Sequence, residues 1–479
     1  MKLRSTITLF CCLCFITTVL NAMEMNLAGK FDPKPSPPHE ALLQFWSEGN
    51  DDLIFTKAKS GDAITLRCRA GVRAVSLKWT LARNLFEQPF SSGPGVARPE
   101  NGFVITIPTA RLMPGLYDLR VAVDCGAEKP VVGICTFGFD VDKMHITDSR
   151  PADFSEFWKR QIRALDNVSL DAKAESVRTF SSAEINAYNA AHASLPPDYD
   201  PEGHRFEAVE AGKVSFASVD GVRIHGWLAK PKGGAGPFPA MLVLPGAGFA
   251  ARPMPLEHAR HGFLALDIQV HGQPVDAEKY SELPGYSRDK KYEPAEAFYY
   301  RNIYLNVVQA LRYLRSRSDV DKSRIVVVGG SQGGRLSIVA AALDGEVAAA
   351  VPAIAHFANL PYLDWARDCN AAAPRLDGMS GMINPPLAGT PAARCLAYYD
   401  TMNFAPDVRC PVMMNAGLID AVSPATGVYA IYARLAASEK RIVALPGIAH
   451  DWSAEFDRRA WRWLDRVLKI SNPETPHNK

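Results

Sequence analysis

Ser331 lies in Gly329-Gly330-Ser331-Gln332-Gly333-Gly334, directly behind the apolar run Val326-Val327-Val328. A serine hydroxyl attacks a carbonyl carbon only when a neighbouring base takes its proton. The usual base is an imidazole whose tautomer is held by a carboxylate. The G-x-S-x-G spacing is what a strand-to-helix nucleophile elbow requires: the strained serine leaves no room for side chains two positions to either side, where Gly329 and Gly333 stand. At a glycine usage of ~7% such a match also arises by chance. The flanks argue against chance and against a merely solvated serine in a glycine-rich turn. Arg324 to Val328 is a continuous strand-like run, and Leu336, Val339, Ala340 and Leu343 recur at helical spacing.

Where an elbow carries the serine, the acid and the histidine follow it in that order. Beyond Ser331 the histidines are His356, His450 and His477. His356 precedes the best acid and His477 sits in a polar tail, whereas His450 follows the last apolar strand through Pro446-Gly447-Ile448-Ala449. Asp420 follows the strand at Pro411 through Gly417-Leu418-Ile419, at the carboxyl end where catalytic loops gather. Asp407 precedes that strand and Asp400 is more distant, so both rank behind Asp420. An oxyanion forming on the carbonyl needs backbone N–H donors from the residue after the nucleophile and from the loop after an earlier strand. Those are Gln332 and, in Leu244-Pro245-Gly246-Ala247-Gly248, Ala247 or an immediate neighbour.

Two kinds of segment must position these groups. From Asp153 onward, a helical stripe (Phe154, Phe157, Trp158, Ile162, Leu165) opens behind a capping-box pattern, Asp153 to Glu156. A hairpin about Asp220-Gly221 follows, and then strands at 240–244, 263–268, 324–328, 348–352, 411–415 and 441–445, most of them alternating with helices. That order predicts an α/β-hydrolase: a mostly parallel eight-stranded sheet with helices on both faces. Ahead of it, six short alternating segments between residues 53 and 141, with no convincing helix, predict a small antiparallel β-sandwich of immunoglobulin-like type.

The expected organisation is a signal peptide over 1–22, the sandwich over 23–147 and the hydrolase over 148–479. Lys2 and Arg4, an apolar stretch from Ile7 to Leu20 and then Asn21-Ala22 have the layout of a cleaved secretory leader, which places the mature chain in the periplasm or outside the cell. The apolar stretch is shorter than the ~20 residues of a spanning helix, so no membrane insertion is expected. Lys plus Arg number 53 against 51 for Asp plus Glu, with no basic run interleaved with aromatics, which argues against nucleic acid as a partner. Six cysteines remain once Cys11, Cys12 and Cys14 leave with the leader. Cys68, Cys125 and Cys135 share strand parity with apolar neighbours and should point inward, while Cys369 and Cys395 are the best candidates for a bridge. No Cys/His cluster has zinc spacing. The sequence does not give the oligomeric state, and a homo-oligomer is compatible with it.

These residues resemble the acetyl xylan esterase and cephalosporin-C deacetylase family, carbohydrate esterase family seven. Gly330-Ser331-Gln332-Gly333-Gly334 matches its nucleophile motif, and Gly417-Leu418-Ile419-Asp420 with Pro424 is similar to its acid loop. The likeness runs over roughly 150 to 470, through Phe154 to Trp158, Tyr299-Tyr300-Arg301 and Asn403-Phe404-Ala405. Three positions depart from it. His271-Gly272-Gln273 stands for Arg-Gly-Gln, His450-Asp451 for His-Glu, and Ala247 for a tyrosine in the oxyanion loop. His271 is read as a hydrogen-bonding loop residue. The resemblance implies an exported serine esterase, without metal or organic cofactor, that removes acetyl groups from carbohydrate (xylan or xylo-oligosaccharides), or from the antibiotic cephalosporin C, through an acyl-enzyme. Its rivals are a peptidase, a broad carboxylesterase, and a non-catalytic carbohydrate-binding protein whose hydrolase unit has decayed. A peptidase needs groups that recognise a substrate amine or carboxylate, and none is identifiable. Decay fits poorly with an intact Ser, Asp and His.

Overall fold

The computed structural model describes residues 43–86, 88–99, 102–192, 203–369 and 388–470, without the side chains at 367–369. The expected leader, the three cysteines in it and His477 lie outside the described residues.

The N-terminal part is a two-sheet sandwich. Its strands are β1 (Leu43–Trp46), β2 (Ile54–Phe55), β3 (Ala63–Ala70), β4 (Ser76–Arg83), β5 (Ser91–Pro94), β6 (Val96–Arg98), β7 (Gly102–Pro108), β8 (Gly115–Asp124) and β9 (Val131–Phe139). One sheet runs β1-β3-β7-β6, the other β2-β9-β8-β4-β5. Period-two burial drives the pairing: Ile64, Leu66, Cys68 and Ala70 point inward from β3 and meet Leu77, Trp79, Leu81, Leu119, Val121 and Phe137. Nine strands replace the six expected. Three are extra: β1, which lies ahead of the expected segments, and β5 and β6 from Ser91-Ser92-Gly93-Pro94-Gly95-Val96-Ala97-Arg98, which shows no apolar alternation because both are edge strands, where proline and exposed residues are tolerated. The strand expected at 53–57 shrinks to β2, which pairs parallel with β9 and runs into a short helix, Lys57–Ser60. Cys68 and Cys135 are buried as expected, whereas Cys125, just past the end of β8, is only half-buried. Cys395 is a buried free thiol, and the side chain of Cys369, its expected partner, lies outside the described residues.

The second sheet has ten strands: β10 (Lys173–Ala174), β11 (Arg178–Ser181), β12 (Ala208–Ala217), β13 (Arg223–Pro231), β14 (Phe238–Leu244), β15 (Leu264–Gln269), β16 (Val320–Gly330), β17 (Ala349–Ala353), β18 (Val412–Gly417) and β19 (Lys440–Leu445). Their order is β10-β12-β13-β15-β14-β16-β17-β18-β19, with β11 also on β12. The expected eight are β12 to β19; the other two are short additions pairing with β12. β12, β13 and β15 pair antiparallel, and every pairing from β15–β14 onward is parallel. Asp220 and Gly221 both take positive φ (55° and 73°), the geometry of the tight hairpin turn predicted there. Adjacent valines of β16 serve opposite faces: Val327 packs in the core with Leu336 and Ile338, and Val326 in the core with Phe456, Trp461 and Leu464. Helix Phe154–Asp166 buries Phe154, Phe157, Trp158 and Leu165 of its predicted stripe, while Ile162 is half-buried. The capping box does not form, because the Asp153 carboxylate accepts from the Tyr398 hydroxyl instead of a first-turn N–H. Among the described residues no helix is long and apolar enough to cross a membrane.

The sandwich is docked on the α/β unit rather than trailing from it. Buried Asn84, just past β4, accepts from the Thr426 hydroxyl at Oδ1 (2.7 Å) and from the Tyr362 hydroxyl at its carbonyl (2.7 Å). Its Nδ2 donates to Asp118 Oδ1 (2.9 Å), which also accepts from Thr136 (2.7 Å). Phe86 packs edge-on against Tyr362 and Trp365. The connecting segment is tied down by Arg150–Asp407 (2.7 Å) and Arg434–Asp148 (2.8 Å). A polar cleft of about 990 Å³ opens where the two parts meet, lined by Glu48, Asp51 and Lys59 on one side and Ile448, Ser453 and Arg459 on the other.

Replacing Asn84 by alanine leaves buried Asp118 and Thr426 short of a partner, which costs on the order of 2 kcal/mol. The expected outcome of Asn84→Ala is a lower guanidinium midpoint, whereas exposed Val132→Thr moves stability by less than about 0.5 kcal/mol. Equal midpoints for the two variants would show that the junction adds nothing to stability.

Candidate active site

β16 delivers Ser331 to a tight turn in which its own backbone takes φ 57° and ψ −117°, a positive φ that a non-glycine residue holds only under constraint. The constraint is crowding from β14. A Cβ on Gly329 would lie 2.6 Å from the Leu244 carbonyl oxygen, and one on Gly333 only 2.3 Å from the same atom. Neither position admits a side chain. The turn is pinned by Ser331 N–H to Ala353 O (3.0 Å) and by His356 N–H to Ser331 O (3.2 Å). Helix Gln332–Asp344 starts at the next residue, so the first N–H groups have no intrahelical acceptor and point their dipoles toward the serine.

The other two groups arrive on neighbouring strand ends. Gly417 closes β18, and a Cβ there would come within 2.6 Å of Ala449 O and 2.7 Å of Ile448 O, so its bare Cα lets the histidine loop lie directly against the acid loop. Asp420 is buried, and its Oδ1 accepts from the N–H groups of Val422 and Ser423 (both 2.8 Å). Its Oδ2 faces His450 Nδ1 at 2.8 Å, and His450 Nε2 is 3.0 Å from Ser331 Oγ. With Nδ1–H donating to the carboxylate, Nε2 is left to accept from the hydroxyl. The structure thus brings Ser331, His450 and Asp420 into one hydrogen-bonded chain. The lower-ranked acids lie elsewhere: Asp407 pairs with Arg150, and Asp400 is buried, accepting from the N–H groups of Asn359, Leu360 and Met402. Burial pushes the Asp400 carboxyl up to about 6, against the pull of those three donors.

The loop after β14 is held by groups that sequence reasoning did not assign. The Gln332 side chain donates from Nε2 to Gly246 O (3.1 Å) and accepts from the Tyr300 hydroxyl (2.8 Å). The Tyr286 hydroxyl accepts from Gly248 N–H (2.9 Å), which commits that donor and leaves Ala247 as the oxyanion candidate in the loop. Tyr286 lies in the polar stretch Leu283-Pro284-Gly285-Tyr286, where no periodicity marks it; Tyr300 stood out only as part of a family match. His271 is buried and does what a loop hydrogen-bonder should. Its Nε2 donates to Gly248 O (3.1 Å) and its Nδ1 accepts from the Tyr299 hydroxyl (2.8 Å), with the Phe249 ring tilted against it at 4.1 Å. Burial drives its pKa down to about 3, so the ring is neutral at ordinary pH. His356 is held well below its usual range by burial first, then by Arg335 and His450. Behind the elbow the Arg335 guanidinium is buried against the faces of Tyr300 (4.0 Å) and Phe357 (4.2 Å).

The sequence profile of the acetyl xylan esterase family matches residues 184–467, which contains the whole hydrogen-bonded chain. The chain belongs to the acetyl xylan esterase family. It is 27% identical over 425 residues to the acetyl esterase Axe7A of Xylanibacter ruminicola, covering 84% of this chain and 87% of the relative. Among solved structures, an acetyl xylan esterase from Paenibacillus sp. R4 superposes with a TM-score of 0.52 at 26% identity, covering 68% of this chain and 97% of that one. Acetyl xylan esterase 1 from Thermoanaerobacterium sp. superposes with the same TM-score at 22% identity and the same coverage, and shows the shared fold. Next to Ala247 in this loop, Phe249, His271 and Tyr286 form a small cluster of mutually packed rings.

His271 also carries a pH signature. Its folded pKa (about 3) lies below the unfolded value near 6.5, so the unfolded chain binds the extra proton between these limits. The stability from a neutral His271 is therefore complete above pH ~6.5 and is lost as pH falls toward ~3. His271→Gln keeps a donor and an acceptor but cannot titrate. The variant's melting temperature should fall less steeply than the wild type's from pH 7 to 4; parallel curves would contradict the assignment.

Proposed function

We propose that this protein is an exported serine esterase that removes acetyl groups from acetylated carbohydrate. The observation that supports it most directly is the Ser331–His450–Asp420 chain of hydrogen bonds, in a member of the acetyl xylan esterase family. Ser331 Oγ attacks the acetyl carbonyl carbon as His450 Nε2 takes its proton, and the Asp420 carboxylate stabilises the imidazolium. The oxyanion is held by the N–H groups of Gln332 and Ala247. Collapse expels the sugar hydroxyl with the proton from His450 and leaves an acetyl-enzyme. A water, deprotonated by the same nitrogen, then attacks the ester carbonyl, and acetate leaves as the proton returns to Ser331. Export rests on the leader composition, Lys2 and Arg4 ahead of the run from Ile7 to Leu20.

Ser331→Ala and His450→Ala should fold and lose several orders of magnitude in kcat, leaving what binding and the oxyanion hole supply. Asp420→Asn should fall by ~10⁴, because the tautomer of His450 is no longer set. An Asp420→Asn variant retaining more than about a tenth of the activity would move the acid role elsewhere. Turnover of nitrophenyl acetate, propionate and butyrate tests acyl size: acetate should lead butyrate by about tenfold, the ~1–3 kcal/mol of methylenes that do not fit. Ala247 favours the second reading, a broad carboxylesterase with an opened acyl site, and rates equal to or rising with chain length would establish it. Acetate release from acetylated xylan, acetylated glucose and cephalosporin C then ranks the substrates.

A further inference from the structure

Far along the sheet from the serine, at the β12–β13 side, three chain segments converge on one buried carboxylate. Helix Leu256–Arg260 packs on β12, β13 and β15, with its C-cap residue His261 one turn beyond Glu257. Residues four apart on a helix share a face, so Glu257 and His261 present their side chains together. His204 comes from the segment ahead of β12, and its Nε2 meets Glu257 Oε1. His261 Nε2 lies 3.7 Å from that same oxygen. The three potential donor atoms all stand within 4.8 Å of one another.

We propose that His204, Glu257 and His261 bind a divalent transition-metal ion of the zinc type. Two imidazole nitrogens and one carboxylate oxygen are a donor set suited to zinc, which takes them at ~2.0–2.2 Å and accepts a water in the fourth position. Tetrahedral bonds of that length put donors roughly 3.3–3.6 Å apart, close to the His261–Glu257 separation of 3.7 Å. His204 closes the triangle by withdrawing slightly from its present contact with the carboxylate. Its side chain is also the most exposed of the three (19% against 5% for Glu257 and 2% for His261), which provides an entry path.

The surroundings hold the donors in place as a metal site requires. Asn189, on helix Ser182–His192, donates from Nδ2 to the other carboxylate oxygen, Oε2 (2.9 Å), and so turns Oε1 toward the imidazoles. The His261 ring stacks on Trp461 at 4.3 Å, and Arg205 donates to the His261 carbonyl (2.6 Å) while pairing with Asp465 (2.7 Å). The nearest cation, Arg260, approaches Oε2 at 3.7 Å, not Oε1, and is shared with Asn186 Oδ1 (2.8 Å). An ion here would clamp the segment containing His204 to the helices at 182–192 and 256–260, with none of the catalytic residues touched. Its binding energy would therefore be folding energy. The donors are 53 and 4 residues apart, a spacing that no local motif reveals.

The test uses the full chain purified without metal-affinity chromatography, stripped with EDTA and dialysed. Zinc added alone should bind at about one equivalent with a Kd of about 1 μM or tighter by calorimetry. At about 100 μM zinc it should raise the melting temperature by about 2 °C or more. His204→Ala, the most exposed of the three changes, should lose the bound equivalent and the melting shift while keeping nitrophenyl acetate turnover. Cobalt should give a visible absorption band in the wild type and not in His204→Ala. Absence of stoichiometric zinc binding in the wild type overturns the proposal and leaves a buried imidazole–carboxylate network; so does retention of the bound equivalent by His204→Ala.

Discussion

The Leu244 carbonyl oxygen sets the geometry on which the site depends. It comes so close to the turn after β16 that neither Gly329 nor Gly333 can carry a Cβ, and the serine between them is forced into a positive φ. This strain aims the hydroxyl out of the sheet while the peptides that follow open a helix beneath it. Gly417 repeats the device two strands away, where the histidine loop crosses at the distance of a bare Cα. Two close backbone approaches thus place Ser331 and His450, and the hydrogen bonds of Asp420 to Val422 and Ser423 complete the alignment.

A second layer of packing holds the loop opposite Ser331. Gln332 does double work, its backbone at the elbow and its side chain tied to Gly246 and Tyr300. His271 reaches the same loop from β15, bonding Gly248 O from a ring that burial keeps neutral. An arginine in that position would bring a charge into a pocket of aromatic rings, which buried arginine tolerates only with partners. Imidazole meets the same two hydrogen-bond demands without it.

The accessory sandwich enters this scheme through Thr426 and Tyr362, which bond a single asparagine beyond β4. Thr426 belongs to the helix that begins directly after the Asp420 loop, so the docked sandwich buttresses the element behind Asp420. Its core and that of the α/β unit are continuous, which fits a unit that folds against its neighbour better than one carried on a flexible tether.

The sequence by itself determined the fold class, the strands from β12 to β19 and the chain of Ser331, Asp420 and His450. The reason is that all three properties are local: period-two and helical burial, glycines at an elbow, and loops that follow strand ends in a set order. Tertiary structure decided what depends on partners distant in sequence. Edge strands β5 and β6 carry no apolar alternation because only one side of each is paired. Asp153 abandons its helix cap because Tyr398, from a segment 245 residues away, takes its carboxylate. Tyr286 and the side chain of Gln332 became part of the site only when the loop after β14 closed over them. The sequence marks residue types and short-range spacing, while contacts across the sheet arise from packing that brings remote segments within a few ångströms.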